Sequence, residues 1–585
     1  MAILDHSDAA QANPASLAAA ATLPLGRRPL DAGEFRRQGR QVVDFIADYY
    51  ARIDDYPVRP AVAPGFLAGK LPATAPSTPE PDALTAALRD VRELILPGIT
   101  HWQSPRHFAH FSATASNVGA LGEALAAGLN VNPFTWAASP AATELEVVVT
   151  DWLGKALHLP ERLLFAGGGG GTLMGTSCDA MLCTIVAARD RKLAEIGEER
   201  IGDLVVYCSD QTHFSFQKAA RIAGIRRGNC REIPTCRESG FVLTAMALQA
   251  AVAADEAAGR VPLFLCATVG TTPTAAVDPL RELCAAVDGH GVWVHVDAAY
   301  AGAACVCPEF RHAIAGVEAV DSFSTNPHKW LLANMDCCAL WVTRPDALVA
   351  ALGTDHDVIL KDAARGDDHH AAVDYKDWQV ALSRRFRALK LWLVLRCHGV
   401  DGLRAVVRSH VRMAAAFESM VRADARFEVP VPRQFGLVCF RLRPATQLGG
   451  DGDGVGDDFT ASNEANRRLL EAVNATGRAY MSSAVVGGMY VLRCAVGNSL
   501  TEEHHVREAW SVVQGQAAAI LATATAAAAA ADTACTKDHA AGDDHCADQP
   551  HAITTKTTGC RSGGWELRTV YRTLRSYAVY FLLGK

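Results

Sequence analysis

The chain has 585 residues, 50% of them hydrophobic and 20% charged, with a formal net charge of −7. That length exceeds one simple core, so two or three domains are expected. The composition is that of an ordinary globular protein, and the mild acidity gives no electrostatic case for nucleic-acid binding.

The 17 cysteines follow no framework spacing, and Cys337 and Cys338 stand inside the apolar run DCCALWV. Buried free thiols in a reducing compartment are expected. No CxxC pair occurs, so no structural metal site is expected. The opening MAILDHSDAAQ lacks the basic region and apolar core of a signal peptide. No apolar run is long enough to span a bilayer. A cytoplasmic protein without a membrane segment is the expectation.

In chain order, residues 1–29 are Ala-rich and read as a disordered arm. Residues 30–113 read as a helical and then extended segment. In DAGEFRRQGRQVVDFIADYYARI, Phe35, Val42, Val43, Phe45, Ile46 and Tyr49 recur at roughly helical spacing. The Pro-rich YPVRPAVAPGFLAGKLPATAPSTPEP follows as an extended connector. Residues 114–400 read as a large α/β domain. Helical stretches such as ASNVGALGEALAAGL and SCDAMLCTIVAARDRKL alternate with the short apolar runs DLVVYCS, PLFLCATVG, VWVHVDAA and CALWVT. This alternation predicts a mostly parallel sheet, with functional residues at its strand ends. Residues 401–520 read as a small α+β domain with strands in RFEVPVP, GLVCFRLR and MYVLRCAVG. GGDGDGVGDD reads as a disordered loop and residues 521–585 as a low-complexity tail.

Lys329 sits in STNPHKW, between segments that otherwise read as core. A charge there is costly unless used, and a desolvated lysine is fit for covalent chemistry with a carbonyl. Asp297 follows the strand-like VWVHV. It reads either as a helix N-cap or as the carboxylate that keeps a pyridine nitrogen protonated, which pyridoxal phosphate needs to act as an electron sink. Ala298 and Ala299 leave room for a flat ring beside it. The stretch AGGGGGTLMGTSCDAMLCTIVAARD reads as a Gly-rich loop entering a helix, where the N–H groups of Ser177 and Cys178 can hold a dianion. No GK[ST] follows, so it is not a nucleotide P-loop. His213 follows a strand in SDQTHFS and is either structural or stacked on the cofactor ring.

These pieces resemble the fold-type I pyridoxal-phosphate enzymes. More narrowly they resemble the group II aromatic L-amino acid decarboxylases, in particular the plant tyrosine and tryptophan decarboxylase branch. The resemblance rests on PGITHWQSPRHFAHF, TWAASPAATELE, SDQTHFSFQKAARIAGI, CATVGTTPTAAVDPL, HVDAAYAGAACVCPEFRH, NPHKWLLANMDC and VDYKDWQVALSRRFRALKLWLVLR. It implies a seven-stranded central sheet with helices on both faces, plus an N-terminal helical segment that crosses onto a second copy in a homodimer. It implies that Lys329 anchors the cofactor, that Asp297 pairs with its ring nitrogen and that His213 lies on its face. Ser177, Cys178, Thr272, Ala299, Asn326 and His328 would complete the cofactor site. Trp102, Phe111, Ser112, Phe134 and Ser383, with His213 and His328, would receive an aromatic amino acid. Ser383 favours phenolic over indolic side chains by the same resemblance. The implied reaction is decarboxylation to an aromatic amine.

One position departs from the family. Counted from Lys329, the family's loop tyrosine, which returns a proton to the substrate carbon, falls on Val358. Valine has no proton to give. The resemblance then leaves two outcomes open. Another donor, such as His356, His213 or water, gives the amine; or dioxygen intervenes and the products are an aldehyde, CO₂, ammonia and hydrogen peroxide, as in plant aldehyde synthases.

Overall fold

A computed structural model describes residues 30–78, 82–354, 372–443 and 459–540. The expected arm at 1–29, the GGDGDGVGDD loop, His356 and Val358 lie outside the described residues. The chain divides into a unit of residues 1–522 and a second of residues 523–585, of which 523–540 are described and helical.

Seven strands build the main sheet: β1 (Gly170–Met174), β2 (Leu204–Ser209), β3 (Cys230–Ile233), β4 (Val261–Thr268), β5 (Trp293–Asp297), β6 (Ser322–Thr325) and β7 (Cys338–Val342). Their order is β1-β7-β6-β5-β4-β2-β3. The β2–β3, β2–β4, β4–β5 and β5–β6 pairs are parallel, and β7 runs antiparallel to both its neighbours. Both faces are covered, which explains the unbroken apolar runs. Along β2, Val205 and Tyr207 join one core, while Leu204, Val206 and Cys208 join the other.

The four runs read as strands are β2, β4, β5 and β7. The strands β1, β3 and β6 were not foreseen. The sequence CREI of β3 carries charge at a sheet edge, and SFST of β6 is too polar to stand out. The Gly-rich stretch requires a correction. Its GGTLM portion is strand β1, and only Gly175 and Thr176 separate that strand from the helix Ser177–Ile196. The glycines there serve packing. A Cβ on Gly171 would lie 2.6 Å from Thr150 Cβ and 2.9 Å from Trp341 Nε1, and one on Gly170 would lie 2.7 Å from Trp378.

A second, antiparallel sheet has the order β10-β11-β9-β8. It comprises β8 (Phe427–Glu428), β9 (Leu437–Leu442), β10 (Ser482–Val486) and β11 (Met489–Ala495). Its core includes Phe417, Phe440, Val473 and Trp510. The helix Arg387–Ala423 leads into it and breaks at Gly399, whose φ of 62° suits glycine.

The N-terminal helix Ala32–Ala51 is capped by Asp31, whose carboxylate accepts from Glu34 N at 2.8 Å. It buries no residue, and Phe35 and Val43 are 67% and 54% exposed. A buried ion pair braces the main sheet. Arg384 donates to Glu146 at 2.5 and 3.1 Å, and also to Thr172 Oγ1 and Leu173 O of β1. No helix among the described residues is long and apolar enough to cross a membrane. The cysteines at described positions are free thiols, most of them buried.

Candidate functional site

The carboxyl ends of β1, β2, β4, β5 and β6 meet around a cavity of about 250 Å³. Phe111, Thr176, Ser177, Cys178, His213, Ser215, Thr268, Gly270, Thr272, Asp297, Ala299, Tyr300, Asn326, His328 and Lys329 line it. Larger clefts of about 450 and 570 Å³ lie elsewhere, but neither joins an enclosed lysine to a buried carboxylate. Strand-end loops of a parallel sheet are where ligands bind in such folds.

Lys329 stands in the short helix Pro327–Trp330 after β6, its N–H donating to Asn326 O at 2.8 Å. Protein encloses it except where it opens on the cavity. Burial lowers its pKa, and the Asp297 carboxylate opposes that shift. A lysine so placed is held toward the neutral, nucleophilic amine.

Asp297 ends β5 and is 5% exposed. Its Oδ1 accepts from Ala299 N at 3.0 Å, which fixes the carboxylate. The N-cap reading of Asp297 has this much substance, but no regular α-helix follows; Ala301–Val306 is a 3₁₀ segment. In the β4–β5 register Thr268 lies beside Asp297, and its buried Oγ1 has no partner among the described residues.

The helix Ser177–Ile196 starts at the cavity with a Thr176 capping box serving Asp179 N. A helix leaves its first N–H groups without intrahelical partners, so those of Ser177 and Cys178 remain for an anion. Ser177 Oγ donates to Asn326 Oδ1 at 2.9 Å, which leaves the Asn326 amide N–H groups to donate elsewhere.

His213 follows β2. Burial lowers its pKa, with Asp297 and Lys329 acting in opposite senses. His328 has Nδ1 2.7 Å from Cys337 O and 3.0 Å from Cys337 N, and burial beside Lys329 pushes it down to about 4. Phe111, Tyr300 and Trp330 form a stack with centroid spacings of 3.6 and 4.9 Å, walling one side. Tyr300 OH accepts from Gly436 N at 3.2 Å, tying that wall to the small sheet.

The cavity thus brings together Phe111, Ser177, Cys178, His213, Thr272, Asp297, Ala299, Asn326, His328 and Lys329. It does not include Trp102, Ser112, Phe134 or Ser383. Trp102 is 40% exposed and stacks on His107 and His110. Ser112 is buried, and its Oγ has no partner among the described residues. Phe134 is half-buried, and its carbonyl accepts from Lys376 N. Ser383 accepts from Asn132 Nδ2 at 3.3 Å in a separate cleft with Glu123 and Arg385. Sequence reasoning missed Thr176, Ser215, Thr268, Gly270 and Tyr300, each of which lies close in the chain to a residue it had found.

The donor set suits pyridoxal phosphate. A deprotonatable lysine, a fixed carboxylate, an unpartnered threonine hydroxyl and free helix N–H groups surround one cavity. Comparison with known proteins agrees. Residues 64–443 match the pyridoxal-dependent decarboxylase conserved domain. The chain is 72% identical over 494 residues to a tyrosine decarboxylase of Oryza sativa subsp. japonica, covering 84% of this chain and 92% of the relative. It is 56% identical over 496 residues to a phenylacetaldehyde synthase of a Rosa hybrid cultivar, covering 85% and 96%. The crystal structure of Catharanthus roseus tryptophan decarboxylase with L-tryptophan superposes with a TM-score of 0.78 at 50% identity, covering 84% of this chain and all of that one. The chain belongs to the pyridoxal-dependent decarboxylase family.

Proposed function

We propose that this protein decarboxylates aromatic L-amino acids to amines, with tyrosine, dopa and phenylalanine preferred to tryptophan. The observation that carries the reading is Lys329 enclosed with Asp297 and His213 in one cavity at the strand ends. The relatives named above support an aromatic substrate, and the 72% identity to a tyrosine decarboxylase supports a phenolic one.

In this reading Lys329 Nζ is the covalent anchor of the cofactor. Asp297 holds the proton on the ring nitrogen. His213 and Ala299 bracket the ring, and Ser177, Cys178, Thr272, Asn326 and His328 complete its seat. When bound, the cofactor supplies an electron sink for the pair left by the departing carboxylate. The chain's part is to orient the scissile bond and exclude water. Phe111 and Tyr300 give the cavity an aromatic wall.

We also infer a homodimer in the cytoplasm. The uncovered apolar face of the helix Ala32–Ala51 supports a second copy, as do Leu121, Leu125 and Leu129, 59%, 47% and 55% exposed on the helix Asn117–Leu129. A second copy would also give Trp102, Phe134 and Ser383, which stand outside this chain's cavity, a route to its partner's substrate. Free buried thiols support a reducing compartment.

A second reading is an aromatic aldehyde synthase, favoured by Val358 in the sequence. The test of the main proposal is kcat/KM for tyrosine, dopa, phenylalanine and tryptophan in wild type and Ser383→Gly. A phenolic preference that shifts about tenfold toward tryptophan in the variant supports it. No turnover of any of the four refutes it.

A further inference from the structure

The ring of His213 is held by a residue two positions along the chain. Ser215 opens the helix Ser215–Ile222, is 3% exposed and lines the cavity. Its backbone N–H donates to His213 Nδ1 at 3.3 Å. Its Oγ lies 2.7 Å from the same nitrogen. Among the described residues the hydroxyl has one other option, donation to Met181 Sδ at 3.5 Å, a longer contact to a weak acceptor. The backbone N–H can only donate, so Nδ1 faces one obligatory donor and one hydroxyl free to become a second. A protonated Nδ1 would point a hydrogen at that N–H. His213 Nε2, by contrast, has no hydrogen-bond partner among the described residues.

From this geometry we infer that Ser215 is a positioning residue that fixes His213 as the neutral tautomer with its proton on Nε2. The inference rests on the reading above, in which His213 lies against the cofactor. It adds what that face presents: an N–H donor and no base. An imidazole with its lone pair on Nδ1 cannot abstract a proton at the cavity. It can donate a hydrogen bond from Nε2 to a carboxylate or other oxygen of the substrate. Burial, which lowers the His213 pKa, favours the same neutral ring. The second ring nitrogen of a functional histidine commonly sets the tautomer in this way.

The test is ¹⁵N solid-state NMR of the full-length protein labelled at its histidine ring nitrogens, with and without added pyridoxal phosphate. His213→Gln identifies the His213 pair by difference. Wild type is expected to show an unprotonated Nδ1 and a protonated Nε2. Ser215→Ala removes the 2.7 Å hydroxyl contact and leaves Nδ1 only the longer 3.3 Å backbone N–H, so a partial shift to a mixture of tautomers is expected. The kcat should fall about tenfold or more with KM nearly unchanged, and Ser215→Thr, which keeps the hydroxyl, should restore both. A wild-type ring protonated on Nδ1 overturns the inference. So does a Ser215→Ala protein with both tautomer and kcat unaltered. The tautomer is read without reference to turnover. Failure to take up the cofactor would count against the functional reading instead.

Discussion

Replacing Arg384 with methionine should destabilise the fold through a charge it leaves behind. The side chains of Arg384 and Glu146 are 0% and 1% exposed. At 2.5 Å their attraction is roughly 7 kcal/mol for an effective dielectric of about 20. Desolvating both ions offsets much of that, so the intact pair adds little net stability. Losing the guanidinium alone strands a carboxylate in the core, at a cost of about 3–5 kcal/mol. For a unit of roughly 500 residues, unfolding entropy is about 1 kcal/mol per kelvin, so the midpoint should fall about 3–5 °C. Glu146→Gln should cost a similar amount by stranding the arginine. The double variant should be more stable than either single one. The glutamine amide oxygen introduced by Glu146→Gln can still accept from Leu173 N, which donates to Glu146 at 2.7 Å here. Thermal unfolding of the four proteins by calorimetry measures this. A double variant less stable than both singles would refute the reasoning.

Three further outcomes are expected. Lys329→Ala should lose both turnover and the visible absorbance of a bound cofactor while keeping the unfolding midpoint of cofactor-free wild type, because the side chain borders the cavity; absorbance spectra and calorimetry check this. Stability should fall as pH drops. Burial pushes His107, His328 and His410 to about 4 and His295 to about 3, from an ordinary 6.5. The unfolded chain therefore takes up protons below pH 6.5 that the native state refuses, and each such group removes about 1.4 kcal/mol per pH unit until its native pKa is reached. His410→Gln should flatten the denaturation midpoint against pH over that window by about one such contribution. Wild type should sediment as a dimer, and Phe35→Glu combined with Ile46→Glu should sediment as a monomer at the same concentration, with loss of activity.

The four most apolar strands and the cavity's chemical groups were legible because each carries a strong local signal. Lys329 and Asp297 stood out as charges where burial forbids idle ones. Strand β1 was not legible. Its glycines read as a loop, whereas they exist because Thr150, Trp341 and Trp378 press on that strand, and sequence periodicity does not report a neighbour's bulk. Thr268 was missed for a related reason, since only the β4–β5 register sets it beside Asp297. Ser215 was missed because its role is a hydrogen bond to a residue already noticed. Trp102, Phe134 and Ser383 entered through resemblance, and the cavity around Lys329 in this chain does not include them.

The most direct test of the central claim is the product balance with tyrosine in air, measuring CO₂, tyramine, aldehyde and hydrogen peroxide together. The account predicts tyramine equal to CO₂, without peroxide. Aldehyde and peroxide equal to CO₂ would contradict it and assign the protein to the oxidative reaction that Val358 admits.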